Sequence, residues 1–144
     1  MFYKIIMASA VALSFGLSIP AAQADGNKAN VEQYGYKNSA GGGQSGYRNR
    51  LSIYQDGKRN SAISSQYGNR NRGVVGQVGR GNHADTYQNG SRNVVGVGQF
   101  GSGHTAITTQ DGRGNAIGII QGGRNNSASA TQVGKGNVSV IVQD

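Results

Sequence analysis

Glutamine, glycine and asparagine recur along this chain with a fixed period of eleven residues. Glycine follows each of the first ten glutamines by two residues, and asparagine follows by five, with His104 as the one replacement. A primary amide carries two donors and two acceptor lone pairs, so its burial is costly unless these groups are paired. Identical amides stacked about 4.8 Å apart can bond to one another in a continuous ladder. The spacing therefore predicts hydrogen bonding between repeats.

The ladder residues fall into two sets, and both are expected to serve self-assembly. The glutamine set is Gln33, Gln44, Gln55, Gln66, Gln77, Gln88, Gln99, Gln110, Gln121, Gln132 and Gln143. The asparagine set is Asn38, Asn49, Asn60, Asn71, Asn82, Asn93, Asn115, Asn126 and Asn137. We interpret His104 as a tolerated defect, because a neutral imidazole still offers one donor and one acceptor.

A further set of residues is basic and lies between each repeated glycine and the next asparagine. Its members are Arg48, Lys58, Arg59, Arg70, Arg80, Arg92, Arg113, Arg124 and Lys135, with Lys37 in the first turn. Stacked repeats would align them as two charged edges, which attract polyanions such as extracellular DNA or polysaccharide without sequence specificity. The same charges would keep subunits soluble and slow premature pairing. We favour solubility as the primary role, and both roles remain open.

The remaining polar residues do not suggest an enzyme, a cofactor or a metal site. Asp56, Asp85 and Asp111 do not converge with a nucleophile or base, and His83 and His104 are predicted to face opposite ways. The glycine-rich turns lack the strand and helix that flank a phosphate-binding loop. The chain contains no cysteine, so disulfides and thiolate metal sites are excluded.

The period also predicts the elements that carry these residues. Each glycine and the asparagine three residues later bracket a four-residue turn, such as residues 57–60, and both residue types tolerate positive φ. The seven residues from each asparagine to the next glutamine are typical of a short strand. Because side chains alternate along a strand, asparagine, glutamine and the two alternate positions between them share one inner face.

A second period of twenty-two residues distinguishes two kinds of strand. Alternate strands carry alanine at the first of these inner positions and a small residue at the second, as Ala84 and Thr86 do. The intervening strands carry valine or isoleucine at the second position, as Val75 does. A small-residue face opposite a large-residue face suits two closely packed sheets. The predicted fold is an all-β, parallel and amyloid-forming β-solenoid of about five 22-residue strand-turn-strand coils.

The two ends of the chain support further expectations. Residues 1–24 are typical of a signal peptide, with Lys4, an apolar stretch over residues 5–19 and Ala22-Gln23-Ala24 as a cleavage signal. We assign residues 25–37 to an N-terminal segment, for which we consider a role in export, and residues 38–144 to the solenoid repeats. Eleven strands divide into six and five, so we expect the first strand to lie outside a fibre core. The absence of atypical capping repeats predicts open strand edges that can template another copy.

The repeat resembles that of the curlins, the subunits of extracellular bacterial amyloid fibres called curli. The signature Gln-x-Gly-x-x-Asn-x-Ala-x-x-x-Gln occurs at residues 33–44, 55–66, 77–88 and 121–132, and with His104 at residues 99–110. Asparagine begins nearly every strand at a uniform spacing of eleven, which resembles the minor, nucleating type of subunit somewhat more than the major type.

The resemblance implies a secreted structural subunit of a cell-surface fibre (a fimbrium) that serves adhesion and biofilm matrix. It also implies a homopolymer, contacts with other curlin subunits, and export and nucleation machinery at the outer membrane as partners. The alternative is a soluble, monomeric β-solenoid adhesin that binds polyanionic surfaces through its basic turn edges.

Overall fold

The computed structural model describes residues 26–144; the predicted signal peptide lies outside them. Every regular element in this range is a β-strand. Strands β1 to β11 span Lys28–Tyr36, Ser39–Tyr47, Arg50–Lys58, Ser61–Asn69, Arg72–Arg80, His83–Ser91, Val94–Ser102, Thr105–Arg113, Ala116–Gln121, Ser127–Lys135 and Val138–Gln143.

The strands form two parallel sheets that face each other. Sheet A contains the odd-numbered strands in the order β1-β3-β5-β7-β9-β11, and sheet B contains the even-numbered strands in the order β2-β4-β6-β8-β10. Paired residues of neighbouring strands are twenty-two positions apart, as Gln55 and Gln77 are. One coil is therefore one strand of each sheet, and the predicted β-solenoid of about five coils is confirmed.

The turns are tighter than the sequence suggested. Strands begin one residue after each asparagine and most continue through the glutamine and glycine, so that only two residues, such as Arg59 and Asn60, separate β3 from β4. The asparagine does not adopt positive φ; the residue before it does, with φ 56° at Arg59. The predicted four-residue turn was wrong because parallel stacking also pairs the corner residues, Gly57 with Gly79.

The core lies in a single thin layer between the sheets. Sheet B contributes buried alanines such as Ala62, Ala84 and Ala106, whereas sheet A contributes Ile53, Val75 and Ile119, each at most 1% exposed. The side chains that oppose each other across the layer are thus small on one side and large on the other, as predicted. Packing of this kind fills a narrow interior without voids.

The coils at the two ends of the described stack are the least covered. All nine residues of β1 are exposed, although β1 pairs with β3 along its whole length. At the other end, Val138, Val140 and Val142 of β11 are 67–75% exposed. The place of β1 in an assembled fibre, and a role of residues 25–37 in export, remain predictions.

Candidate functional site: amide ladders and basic edges

The glutamine side chains are hydrogen-bonded to one another along both sheets. In each of nine pairs, Nε2 of one glutamine donates to Oε1 of the glutamine twenty-two residues later, at 2.7–3.1 Å. The bonded glutamines form one row in each sheet. Gln55, Gln77 and Gln99 belong to the row in sheet A, and Gln66 and Gln88 belong to the row in sheet B. All nine bonds run in the same direction along the axis.

From Gln44 onward, the second hydrogen of each glutamine amide joins the two sheets. Nε2 of Gln77, for example, also donates to the carbonyl of Ser61 at the start of a sheet B strand, at 3.0 Å. Gln55, Gln77 and Gln99 are fully buried. Because both amide hydrogens are bonded, burial of the side chain leaves no donor unpaired.

The asparagine side chains do not bond to one another, so the expected side-chain ladder is wrong for this set. Oδ1 of Asn71 instead accepts the backbone N–H of Asn93 at 3.0 Å. Its Nδ2 donates to the carbonyl of Tyr67 across its own turn and to that of Gly90 in the next coil. The shorter side chain lies beside the corner carbonyls, which are therefore its partners. Each asparagine of this kind therefore bonds within its own turn and to the corresponding turn of the next coil.

His104 occupies an asparagine position and is fully buried. Its Nδ1 accepts the backbone N–H of Asn126 at 3.2 Å, and its Nε2 lies 3.2 Å from the carbonyl of Phe100. These partners require the tautomer that is protonated on Nε2. The imidazole thus reproduces two of the three bonds that an asparagine makes here.

The repeated glycine is required by the stacking of corners. Gly57 has φ 122°, and a Cβ atom there would overlap the carbonyl oxygen of Gly79 in the next coil. The same overlap recurs at the equivalent glycines along both edges. A side chain at this position would separate adjacent coils and break the ladder nearby.

The predicted basic residues lie on two opposite edges of the solenoid. We call the turns from sheet B to sheet A the front edge; it carries Arg48, Arg70, Arg92, Arg113 and Lys135. We call the turns from sheet A to sheet B the rear edge; it carries Lys37, Lys58, Arg59, Arg80 and Arg124. All ten side chains are exposed. The two edges differ in their remaining residues.

Three further basic residues at the front edge were missed from the sequence. Lys28, Arg50 and Arg72 begin β1, β3 and β5 and pair with one another in register. These residues lie outside the turn positions, but their spacing of twenty-two is a signal in the sequence that could have identified them.

The outward faces carry two pairs of tyrosines on neighbouring coils. The ring centroids of Tyr34 and Tyr54 are 5.8 Å apart, and those of Tyr67 and Tyr87 are 5.7 Å apart. Such tilted aromatic contacts stabilise the pairing of neighbouring strands.

Within residues 26–144, no group of three or more histidine, cysteine or acidic residues is placed to hold a metal ion. The same range contains no helix that is long and apolar enough to cross a membrane.

Parallel two-strand coils joined by stacked amides define this protein as a β-solenoid repeat protein. The family model described as curlin associated repeat matches the chain five times, at residues 24–57, 46–79, 57–85, 79–112 and 105–134. The chain therefore belongs to the curlin repeat family. No curated protein matches it. Both the family and the solenoid fold are structural rather than enzymatic in character.

Proposed function

We propose that this protein is a self-assembling subunit of an extracellular, curli-like amyloid fibre. In this proposal subunits add end to end, so that the two sheets continue from one copy into the next. The fibre serves surface adhesion and biofilm matrix, and other curlin subunits and the export machinery of the outer membrane are its partners. Family membership supports the subunit class, and the geometry of the stack supports the mode of assembly.

The observation that carries the proposal is that the end strands have the same register as the interior strands. At one end of the described range, β1 and β2 each have a neighbour on one side only; at the other end, the same is true of β10 and β11. The glutamine rows reach the end strands, since Gln33 bonds to Gln55 and Gln121 bonds to Gln143. An unpaired parallel edge with the glutamine positions already aligned is a template for another copy.

Assembly is tested with the chain from Asp25 onward, purified in denaturant and then desalted. Size-exclusion chromatography over a day should show loss of monomer, and the product should bind amyloid dyes and diffract at about 4.8 Å along the fibre axis. A folded β-rich protein that remains monomeric for days at micromolar concentration would contradict the proposal. That outcome would favour the second candidate, a soluble adhesin that uses the exposed basic edges.

Within the fibre we propose the minor, nucleating rank for this subunit. The support is the uniform spacing of eleven and the nearly constant asparagine at the start of each strand. A nucleating subunit should shorten the lag of a major-type curlin when it is added in substoichiometric amount. A lag that is no shorter than with the same amount of unrelated preformed amyloid would assign it to the major rank instead.

A further inference from the structure

The front and rear edges differ in the balance of their charges. Within residues 26–144 the front edge has eight basic residues, namely its five turn residues together with Lys28, Arg50 and Arg72, whereas the rear edge has five. Three of the five acidic residues, Asp56, Asp85 and Asp144, lie nearer the rear edge; Glu32 lies at the middle of β1, and Asp111 lies nearer the front. Positive charge is therefore concentrated on one edge, which the sequence pattern alone did not distinguish.

Six of the front-edge cations form two adjacent columns. Lys28, Arg50 and Arg72 stack in register on β1, β3 and β5, at the spacing of neighbouring strands, about 4.8 Å. Arg48, Arg70 and Arg92 stack in the adjoining turns. An open groove is lined by both columns, together with Gly26, Asn71 and Val94.

The columns place like charges on adjacent coils, which is unfavourable in the absence of an anion. On the rear edge the equivalent strand-start positions carry no permanent charge; they hold Ser39, Ser61, His83, Thr105 and Ser127. The charge of the front columns is thus not required by the position in the coil.

The front turns also retain their cations in an unfavourable backbone conformation. Arg48, Arg70 and Arg92 have φ of 56–58°, the left-handed region that favours glycine, and Lys37 and Arg59 of the rear edge lie in the same region. Where glycine does take this position, at Gly114 and Gly136, the residue before it is Arg113 or Lys135. Every front turn among the described residues therefore has one cation, whereas the rear turn at Ser102 and Gly103 has none.

We propose that the front edge binds an extended single-stranded nucleic acid, whose phosphodiester backbone runs along the solenoid axis between the two columns. Five of the six cations are guanidinium groups, which match phosphate oxygens in a bidentate manner. A flexible single strand can follow a straight row of cations, whereas each strand of a duplex winds away from it. Tyr47 lies at this edge, 36% exposed, and the Arg48 guanidinium stacks over its ring, 4.6 Å from the centroid. The site rests on the proposed fibre only in that end-to-end stacking would repeat the groove in every subunit.

Two variants with equal loss of charge test this site. The front variant carries Arg48→Asn, Arg70→Asn and Arg92→Asn; the rear variant carries Lys37→Asn, Arg59→Asn and Arg80→Asn. Asparagine tolerates the left-handed conformation, so both variants should fold and assemble. Binding of a labelled oligothymidylate to preformed fibres is measured as a function of salt. The front variant should bind on the order of 100-fold more weakly at 0.1 M salt, with a salt slope smaller by about 2. The rear variant should bind nearly as the parent does.

A third variant, with Arg48→Lys, Arg70→Lys and Arg92→Lys, keeps the charge but loses the bidentate geometry, and should bind with intermediate affinity. A duplex of mixed sequence and heparin are titrated alongside. Equal losses in the front and rear variants, tighter binding of the duplex, or binding of heparin alone would each overturn the proposal. The sedimented fraction reports fibre formation separately. If the chain stays soluble, the same titration on the soluble protein still tests the groove.

Discussion

His104 makes no side-chain bond to the carbonyl of Gly123, whereas Asn93, at the equivalent place on the front edge, donates to the carbonyl of Gly112 at 3.1 Å. Within residues 26–144 the Gly123 carbonyl accepts only the backbone N–H of Ser102, at 3.1 Å, which belongs to the pairing of Ser102 with Arg124. Strand β9 ends two residues before this glycine, at Gln121, three residues earlier than the nine-residue strands. The imidazole thus coincides with a loosened corner in an otherwise regular stack.

Replacement of His104 by asparagine should stabilise the solenoid, because the amide can supply the missing bond to Gly123. A net gain of about 1 kcal/mol is expected for one added hydrogen bond. The measurement is the guanidinium midpoint for dissolution of fibres. Asn93→His is the matched control and should lower the midpoint. A decrease with His104→Asn would show that the imidazole is adapted to its site rather than tolerated.

The opposed faces of the core predict an asymmetric response to added volume. Ala84→Leu should slow or block assembly, since overpacking a column of alanines costs roughly 1–3 kcal/mol and recurs in every subunit. Val95→Leu should be milder, because the same column of sheet A already contains Leu51 and Ile117. Lag times and final yields of fibres provide the comparison, and equal effects would contradict the assignment of the two faces.

Leu51 and Gly42 should show energetic coupling across the core. A Cβ atom added to Gly42 would lie 2.6 Å from Cδ2 of Leu51, so Gly42→Ala should be destabilising. Leu51→Ala should cost about 2–5 kcal/mol through loss of buried surface. The double variant should cost less than the sum by roughly 0.5–3 kcal/mol, because the clash is then relieved. Additive losses in denaturant midpoints would indicate that the two side chains do not share this space.

Thr108 has a buried hydroxyl group without a hydrogen-bond partner. One coil earlier in the same column, Thr86 donates to Ser64 at 2.6 Å. Thr108→Val removes the unpaired group at constant shape and should be neutral or stabilising by about 1 kcal/mol. Thr86→Val leaves Ser64 without its partner and should be destabilising. The denaturant midpoints of the two variants are the measurement. A larger loss of stability with Thr108→Val than with Thr86→Val would imply that Thr108 has a hydrogen-bond partner in the fibre.

Truncation tests the prediction that the first strand is dispensable. A chain that begins at Tyr36 should still elongate full-length seeds, because the exposed β1 adds little buried surface. Deletion of residues 133–144 should slow elongation more, since it removes the valine-rich β11. Seeded growth rates are the measurement. Failure of the first truncation with normal growth of the second would identify β1 as the templating strand.

The regular part of this molecule could be predicted from the sequence because each repeat sees the same neighbours. The period of eleven determines which residues are buried. The period of twenty-two, in which strands with small inner residues such as Ala84 alternate with strands with large ones such as Val75, determines which sheet each strand joins. Register follows automatically, since a glutamine such as Gln77 has its best partner in the next glutamine of its own row.

The irregular parts could not be predicted because they depend on atoms outside one repeat. The partners of asparagine are corner carbonyls, and their positions depend on the left-handed φ of the preceding residue, Arg70 in the case of Asn71. Three consecutive glycines at residues 41–43 indicated only a weak strand, yet Gly42 lies where the Leu51 side chain needs space. The excess of positive charge at the front edge, where Arg48 and Arg50 lie, required knowledge of which turns share an edge.

The shared direction of the nine glutamine bonds has a physical consequence for a fibre. An amide group has a dipole of about 3.5 D, and dipoles that are aligned head to tail add along their axis. Each subunit would thus contribute the dipoles of eleven glutamine side chains, joined by these nine bonds, to a filament in which every copy has the same orientation. Such a filament would have a permanent electric axis, with two chemically distinct tips that extend at different speeds.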